Sequence, residues 1–327
     1  MAGDLSYVRA RTVREAVEFL SSGGARVVAG GTDLAGALAV DGDRVRRIVS
    51  IADIDELKGI QDTPEGIRVG ALAPLSAVAA SHHLSGPYLA LTRAASCAAP
   101  AEALTQATIG GNICQRPRCW YLRSDNVCVR KGGVLCFAAD GESAYHAVMG
   151  GDRCHMVHPS DVAPPLVALG ASARIVGPGG IRVVPFDEFF LPPSHSLTRE
   201  NVLGPAEILT DVLVPHLPVG ATSTYRRVSE SGIGYALASV AVAVVPSGGA
   251  ADAVRIVLGA AAPVPWRARE AESVLRGFQV DRTLIARAVD AALADAVPLP
   301  DNRYKVNLFR ALMIDALEET WQLRPAI

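Results

Sequence analysis

Gln106-Ala-Thr-Ile-Gly-Gly-Asn-Ile-Cys114 is the stretch on which the reading of this chain turns. Its paired glycines let backbone amides approach a phosphate without interference from a Cβ, and Thr108 adds a hydroxyl. The stretch runs directly into a loop holding five of the six cysteines, from Cys114 to Cys154. A phosphate-binding turn beside a thiolate-rich loop points to a nucleotide cofactor and a metal cluster held together. Two redox centres so placed move electrons between them.

Upstream, Arg26-Val-Val-Ala29 reads as a short apolar strand that ends in Gly30-Gly31-Thr32-Asp33-Leu34, a second segment of the same kind. Neither segment is a P-loop, since no Gly-Lys-Ser/Thr follows, and neither carries the Gly-x-Gly-x-x-Gly of a Rossmann turn. One such turn alone is ordinary loop geometry. Two of them could clamp the diphosphate of a dinucleotide from both sides. A third polar point, Ser160-Asp161, follows His158-Pro159 and reads equally well as a helix N-cap ahead of Val162.

Cys119, Cys128, Cys136 and Cys154 have eight, seven and seventeen residues between them. Structural zinc usually shows a tight Cys-x2–4-Cys knuckle, which these four lack, although Cys114 and Cys119 keep that possibility open. Four thiolates scattered along a long loop suit a [4Fe–4S] cluster, whose irons accept widely spaced ligands. Arg116, Arg118, Arg123, Arg130 and Lys131 would offset the cluster's negative charge, or else form an ordinary solvated face. Cys97 lies in an apolar helical stretch and reads as structural. Cys114 is left out of the ligand set, beside the expected cofactor pocket. His146, His155 and His158 could ligate metal, but loop histidines more commonly form hydrogen bonds.

With 50% hydrophobic and 20% charged among 327 residues, the chain has apolar surface for two ordinary domains. A formal charge of -2 supplies no basic field for nucleic acid. No apolar run reaches the roughly 20 residues of a membrane span. Charged residues from Asp4 to Glu18 leave no secretory core, so a cytoplasmic location is expected, or a periplasmic one if an exported partner carries the chain. A reducing compartment makes disulfides a poor account of clustered cysteines.

The flanking pattern is α+β with mixed sheets. Thr12 and Glu15 form a capping box before Ala16–Leu20. Strands are expected at Arg47–Ile51 and Gly66–Ala71, helical turns after Leu75 and over Pro87–Ala98, and a hairpin around Gly177-Pro-Gly-Gly180. A strand at Val212–Val214 closes at Pro215, and the domain boundary is expected between His216 and Gly220, giving domains 1–218 and 221–327. Beyond it come strands at Ala236–Val245 and Ala253–Gly259, then helices at Arg267–Leu275, Thr283–Ala294 and Val306–Leu317.

Val27-Val-Ala-Gly-Gly-Thr-Asp-Leu34, Thr108-Ile-Gly-Gly-Asn112, His158-Pro-Ser-Asp161 and Glu207-Ile-Leu-Thr-Asp-Val-Leu-Val-Pro215, in this order, resemble the FAD-binding medium subunit of the xanthine dehydrogenase and carbon monoxide dehydrogenase group of molybdenum hydroxylases. Ala262-Pro-Val-Pro-Trp-Arg267 and Asn302-Arg-Tyr-Lys-Val306 resemble that group's C-terminal domain. The resemblance implies a two-part FAD-binding domain of the p-cresol methylhydroxylase type followed by a smaller α+β domain. It implies that Val28, Ala29, Gly30, Gly31, Thr32, Asp33 and Leu34, with Thr108, Ile109, Gly110, Gly111 and Asn112, hold FAD, and that Ser160, Asp161 and Leu209 complete the site. Arg226 stands where the family often has a lysine near the flavin, and Glu230 where an arginine is common. The loop from about 114 to 156 looks like the insertion that carries a [4Fe–4S] cluster in 4-hydroxybenzoyl-CoA reductase and periplasmic aldehyde oxidoreductase. Implied partners are a molybdopterin-binding large subunit and a [2Fe–2S] small subunit, as a doubled heterotrimer. The expected function is electron transfer between those partner centres and an external acceptor or donor; the alternative is a self-sufficient flavoprotein oxidase or reductase.

Overall fold

The computed structural model describes residues 5–34, 36, 38, 45–230, 234–248 and 250–323. Its first unit is a parallel sheet of three short strands, β1 (Ser6–Arg9), β2 (Ala25–Val28) and β3 (Arg47–Ser50), in the order β1-β3-β2. The helix Val13–Ser21 buries Val13, Ala16, Val17 and Leu20, spaced to form one apolar stripe. Thr12 Oγ1 accepts from Glu15 N at 3.1 Å, as the capping box requires, while the Glu15 carboxylate reaches back to the amide of Arg11 at 2.7 Å. A cap of this kind contributes about 1 kcal/mol.

The second unit is a five-stranded antiparallel sheet of β4 (Ile60–Thr63), β5 (Gly66–Gly70), β6 (Ser172–Gly177), β7 (Gly180–Pro185) and β8 (Ile208–Val214), ordered β4-β5-β8-β6-β7. β8 runs through the centre, nearly all buried, and starts four residues earlier than its apolar run suggests. A register shift opposite Arg174 and Ile175 leaves Thr210 as the extra residue. Its hydroxyl donates to Arg174 O at 3.1 Å. The hairpin expected around Gly177–Gly180 is β6–β7.

The third unit is an antiparallel sheet of β9 (Thr222–Val228), β10 (Ala238–Ser247), β11 (Ala250–Gly259) and β12 (Trp266–Arg267). The helices Arg269–Leu275, Arg282–Leu293 and Tyr304–Thr320 cover one face, where Val240, Val242, Ile256 and Leu258 meet Leu275, Ile285, Phe309 and Met313. The opposite face is buried too. Ala241, Val257 and Tyr225 join the core of the second unit, which includes Ile109, Leu166 and Val212. Burial on both faces explains why β10 reads as an unbroken apolar run rather than an alternating one.

Among the described residues the three sheets are each purely parallel or purely antiparallel, so the expectation of mixed sheets is corrected: parallel strand pairs occur in the N-terminal unit, and the C-terminal one adds a single parallel bridge, Ala251 to Arg276. β9 escapes a hydrophobicity reading because Thr-Ser-Thr-Tyr-Arg-Arg-Val satisfies its faces with hydroxyls and ion pairs. Among the described residues no helix is long and apolar enough to cross a membrane.

Phe309 is 0% exposed at the centre of the third unit, so Phe309→Ala is expected to lower stability by about 3–5 kcal/mol. Ile181, 70% exposed on edge strand β7, tolerates alanine within about 0.5 kcal/mol. Thermal melts of the two variants check this packing, and equal losses would contradict it.

Candidate functional site

The two glycine segments meet backbone to backbone. A Cβ on Gly30 would fall 1.7 Å from the Gln106 carbonyl oxygen, so only glycine permits this approach. Gly31 follows in the left-handed region at φ +74°. Among the described residues, the amides of Gly30, Gly31 and Thr32 donate no hydrogen bond within the chain. The second segment differs from the turn expected there: Ile109–Ile113 is a single helical turn, with Thr108 as its N-cap. Thr108 Oγ1 accepts from Gly111 N at 3.1 Å, while Ile109 N and Gly110 N donate to Ala73 O and Ala71 O. A Cβ on Gly110 would press on Ala71 at 2.9 Å, not on open space. The free amides thus come from the first segment, and the second is its structural backing.

Between them opens a cavity of about 590 Å³, bordered by the strand-to-turn run Val28–Leu34, by Thr108, Gly110 and Gly111, and by Leu209 at the start of β8. Ile109 is buried in the core behind it. Asn112 turns toward a second cavity of about 260 Å³: its side-chain oxygen accepts from Ser160 Oγ at 2.6 Å, and Ser160 lines that second space. Ser160 Oγ also accepts from Ala163 N at 3.1 Å, so Ser160 caps the following helix as well.

Asp161 lies in the second cavity's wall, 2% exposed, and accepts from Tyr225 Oη at 2.5 Å. Burial pushes its carboxyl up to about 6, against the pull of Arg227. Burial also holds neighbouring His158 down at about 3, a neutral ring. β9 alternation decides which residues reach this wall. Tyr225 and Arg227 face Asp161, the latter at 3.5 Å. Arg226 points the other way, paired with Asp315 at 3.1 Å and Glu319 at 2.9 Å on the last helix. Arg226, expected at the cofactor, instead has its charge paired on the C-terminal helix and lines neither cavity. Glu230 lines the second cavity and accepts from Tyr145 Oη at 3.0 Å.

All six cysteines are free thiols. Interaction between the Cys136 and Cys154 thiols lowers Cys136 to about 6 and raises Cys154. Cys119, raised by burial to about 11, feels the charges of Cys154 and Cys128. The four expected ligands thus lie within electrostatic reach of one another. Among the described residues no group of three or more His, Cys, Asp or Glu is placed to hold a metal ion. Cys114 stands apart in the larger cavity's wall, pushed to about 12 by burial alone.

Around the thiols are polar atoms with nothing to bind. Trp120 Nε1 and Arg130 Nη2 are buried without a partner. Arg130 Nε donates to Cys154 Sγ at 3.3 Å, and His146 Nε2 lies 3.3 Å from Cys119 Sγ. The unpartnered Arg130 Nη2, on the guanidinium that touches Cys154 Sγ, fits a sulfide-bearing cluster, whose sulfurs accept hydrogen bonds. The five basic residues expected to offset its charge divide differently. Arg118 and Arg123 bind Asp33 at 2.6 and 3.5 Å, Arg116 binds Glu200 at 3.1 Å, and Lys131 donates to Ser124 O. Arg130 touches a cysteine sulfur, that of Cys154. It also pairs with Glu200 at 2.9 Å and lines the larger cavity.

Sequence reasoning missed Glu200, Tyr225, Arg227 and Lys305. Recognising β9 as a strand would have separated Arg227 from Arg226. Glu200 sits in an irregular segment with no local pattern to mark it.

Residues 3–217 match the model of the FAD binding domain in molybdopterin dehydrogenase, and residues 223–320 match that of the CO dehydrogenase flavoprotein C-terminal domain. The aldehyde oxidoreductase FAD-binding subunit PaoB of Escherichia coli (strain K12) is 31% identical over 90% of this chain and 91% of that protein. The carbon monoxide dehydrogenase medium chain of Hydrogenophaga pseudoflava is 26% identical, with 96% of each chain covered. A solved structure of carbon monoxide dehydrogenase from Hydrogenophaga pseudoflava superposes with a TM-score of 0.78 at 25% identity, over 98% of this chain and 99% of that one. This chain belongs to the family of FAD-binding medium subunits of the xanthine and carbon monoxide dehydrogenases.

Proposed function

We propose that this chain is the electron-transfer subunit of a molybdenum hydroxylase complex, holding FAD across its two cavities and a [4Fe–4S] cluster on Cys119, Cys128, Cys136 and Cys154. The observation that carries this reading is Arg130, whose guanidinium touches Cys154 Sγ while lining the glycine-rimmed cavity. One side chain thus borders both sites.

The unused amides of Gly30, Gly31 and Thr32 suit the diphosphate, and Thr108, Gly111 and Leu209 border the same cavity. The Asn112–Ser160 hydrogen bond links that cavity to the one walled by Asp161, Trp120 and Tyr235. A dinucleotide reaching from one to the other would have an apolar, aromatic-rich end and a polar, amide-lined end. When bound, the flavin supplies the chemistry of collecting electrons and handing them on. The chain's own residues exclude water around it, through the buried wall of His158, Ser160 and Asp161. No nucleophile or general base is required of them.

Substrate chemistry belongs to a molybdopterin-binding large subunit, and a [2Fe–2S] small subunit stands between it and this chain, in a doubled heterotrimer. The FAD-binding domain spans 1–218 and the C-terminal domain 221–327. The complex works in the cytoplasm, or in the periplasm if an exported partner carries it there. Similarity to an aldehyde oxidoreductase subunit supports an aldehyde-oxidising complex over a carbon monoxide or xanthine one.

In the purified complex, Cys128→Ser or Cys136→Ser is expected to remove most iron and acid-labile sulfide while leaving FAD bound. Wild-type iron in both variants, or zinc in place of iron, would refute the four-cysteine assignment. Gly31→Val is expected to lower flavin affinity at least about tenfold, because a branched residue is strained at positive φ and crowds the free amides. Arg226→Gln should keep its flavin. Flavin content read from absorbance separates these outcomes, and flavin loss in Arg226→Gln would restore that residue to the site.

A further inference from the structure

The cysteine loop does not hold its own shape. Residues 143–148 are held almost wholly by the C-terminal domain, through the motif Asn302-Arg-Tyr-Lys-Val306 and its neighbours. Asp301 Oδ2 accepts from Ser143 N at 3.0 Å and from Ser143 Oγ at 3.3 Å. Tyr304 Oη donates to Ala144 O at 3.0 Å. Asn302 Nδ2 donates to His146 O at 3.1 Å and Ala147 O at 3.2 Å. Lys305 Nζ donates to His146 O at 3.0 Å and to Ala260 O at 2.6 Å.

Asn302 and Lys305 are both 0% exposed. Burying an ammonium is expensive even with good partners, and a structural helix residue would serve better as leucine. Here the two residues converge on one carbonyl, that of His146. What this fixes is the imidazole. His146 is 3% exposed, its ring packed edge-on against Trp120 at 5.1 Å, with Nε2 3.3 Å from Cys119 Sγ. Nδ1 is buried and has no partner. If the proton sat on Nδ1, a buried donor would be orphaned and, with Cys119 a thiolate ligand of the cluster, the Nε2 lone pair would face the sulfur's own. With the proton on Nε2, the donor is satisfied and only a lone pair goes unused. The packing selects the Nε2–H tautomer.

We propose that the Asn302–Lys305 clamp positions His146 to donate its Nε2–H to Cys119 Sγ, so that the C-terminal domain sets the reduction potential of the cluster on the neighbouring loop. The inference rests on the cluster assigned above. Reduction adds an electron to an anionic thiolate-ligated centre, and a hydrogen bond to a ligand sulfur stabilises that more negative state. Removing the donor shifts the potential downward. His146 and Lys305 are positioning residues here, neither of them a ligand.

The test is an EPR-monitored redox titration of the whole purified complex, with iron, sulfide and FAD measured beside it. His146→Leu should keep wild-type iron and flavin but shift the cluster's reduction equilibrium about tenfold, about 59 mV more negative for one electron. His146→Gln, which retains an N–H, should titrate close to wild type. Lys305→Met should shift in the same direction, and adding it to His146→Leu should give no further shift, because the two act through one hydrogen bond. If Lys305→Met does not fold, the Leu and Gln pair at His146 still decides. An unmoved potential in His146→Leu overturns the proposal, as does loss of iron there, which would make His146 a ligand. Absence of iron from the wild-type complex removes the cluster and this inference together.

Discussion

A guanidinium that solvent cannot reach must be paired, and the pairing of Arg130 organises the centre of this molecule. Its side chain is 1% exposed, with Glu200 at 2.9 Å and Cys154 Sγ at 3.3 Å. Removing one partner of such a buried pair costs about 3–5 kcal/mol, because the remaining charge is left uncompensated. Glu200 also binds Arg116, and Asp33 binds Arg118 and Arg123. Two carboxylates, one on the glycine turn and one on the segment before β8, thus hold the cysteine loop against the cavity. Asp33 thus tethers the loop while it lines the glycine-rimmed cavity.

The second constraint is the sheet β9–β12, which has no solvent-facing side. Its inner face is closed by three helices and its outer face by the FAD-binding units, so the two domains share a core. Polar residues on β9 specify how they meet. Ser223 Oγ donates to Pro87 O at 2.6 Å and accepts from Ala90 N at 3.0 Å, while Tyr225 and Arg227 engage Asp161. Nonpolar contact alone tolerates sliding; these directional bonds do not. The wall of the second cavity is built from both domains, so its shape depends on that registration.

Much of this was legible in the sequence, for identifiable reasons. The β6–β7 hairpin, the capped helix Val13–Ser21 and the C-terminal helices have local causes: a Gly/Pro turn, a Thr-x-x-Glu box and apolar periodicity. The residues around the larger cavity could be named because glycine is the only residue that fits a backbone approach such as Gly30 to Gln106. Arg226 could not be placed, because a one-residue difference in strand phase sends a side chain to the opposite face. Nor could the two glycine segments be told apart, since what distinguishes them is whether Ala71 and Ala73 already occupy their amides. That is a contact between residues far apart in sequence.

The cysteine loop itself shows why a second domain is needed. Between Ile113 and Ala163 the one helical element is the short 3-10 turn Val129–Lys131, and no strand crosses the segment. A loop this long without its own secondary structure cannot hold four sulfurs in fixed relation by local bonding. Order is imposed at separate points: Asp33 and Glu200 fix the arginines from Arg116 to Arg130, and Asp301, Asn302, Tyr304 and Lys305 fix residues 143–147. Cys119 and Cys128 belong to the first group's span, and Cys154 follows the second. The loop is thus ordered by both domains, although every cysteine in it belongs to the first.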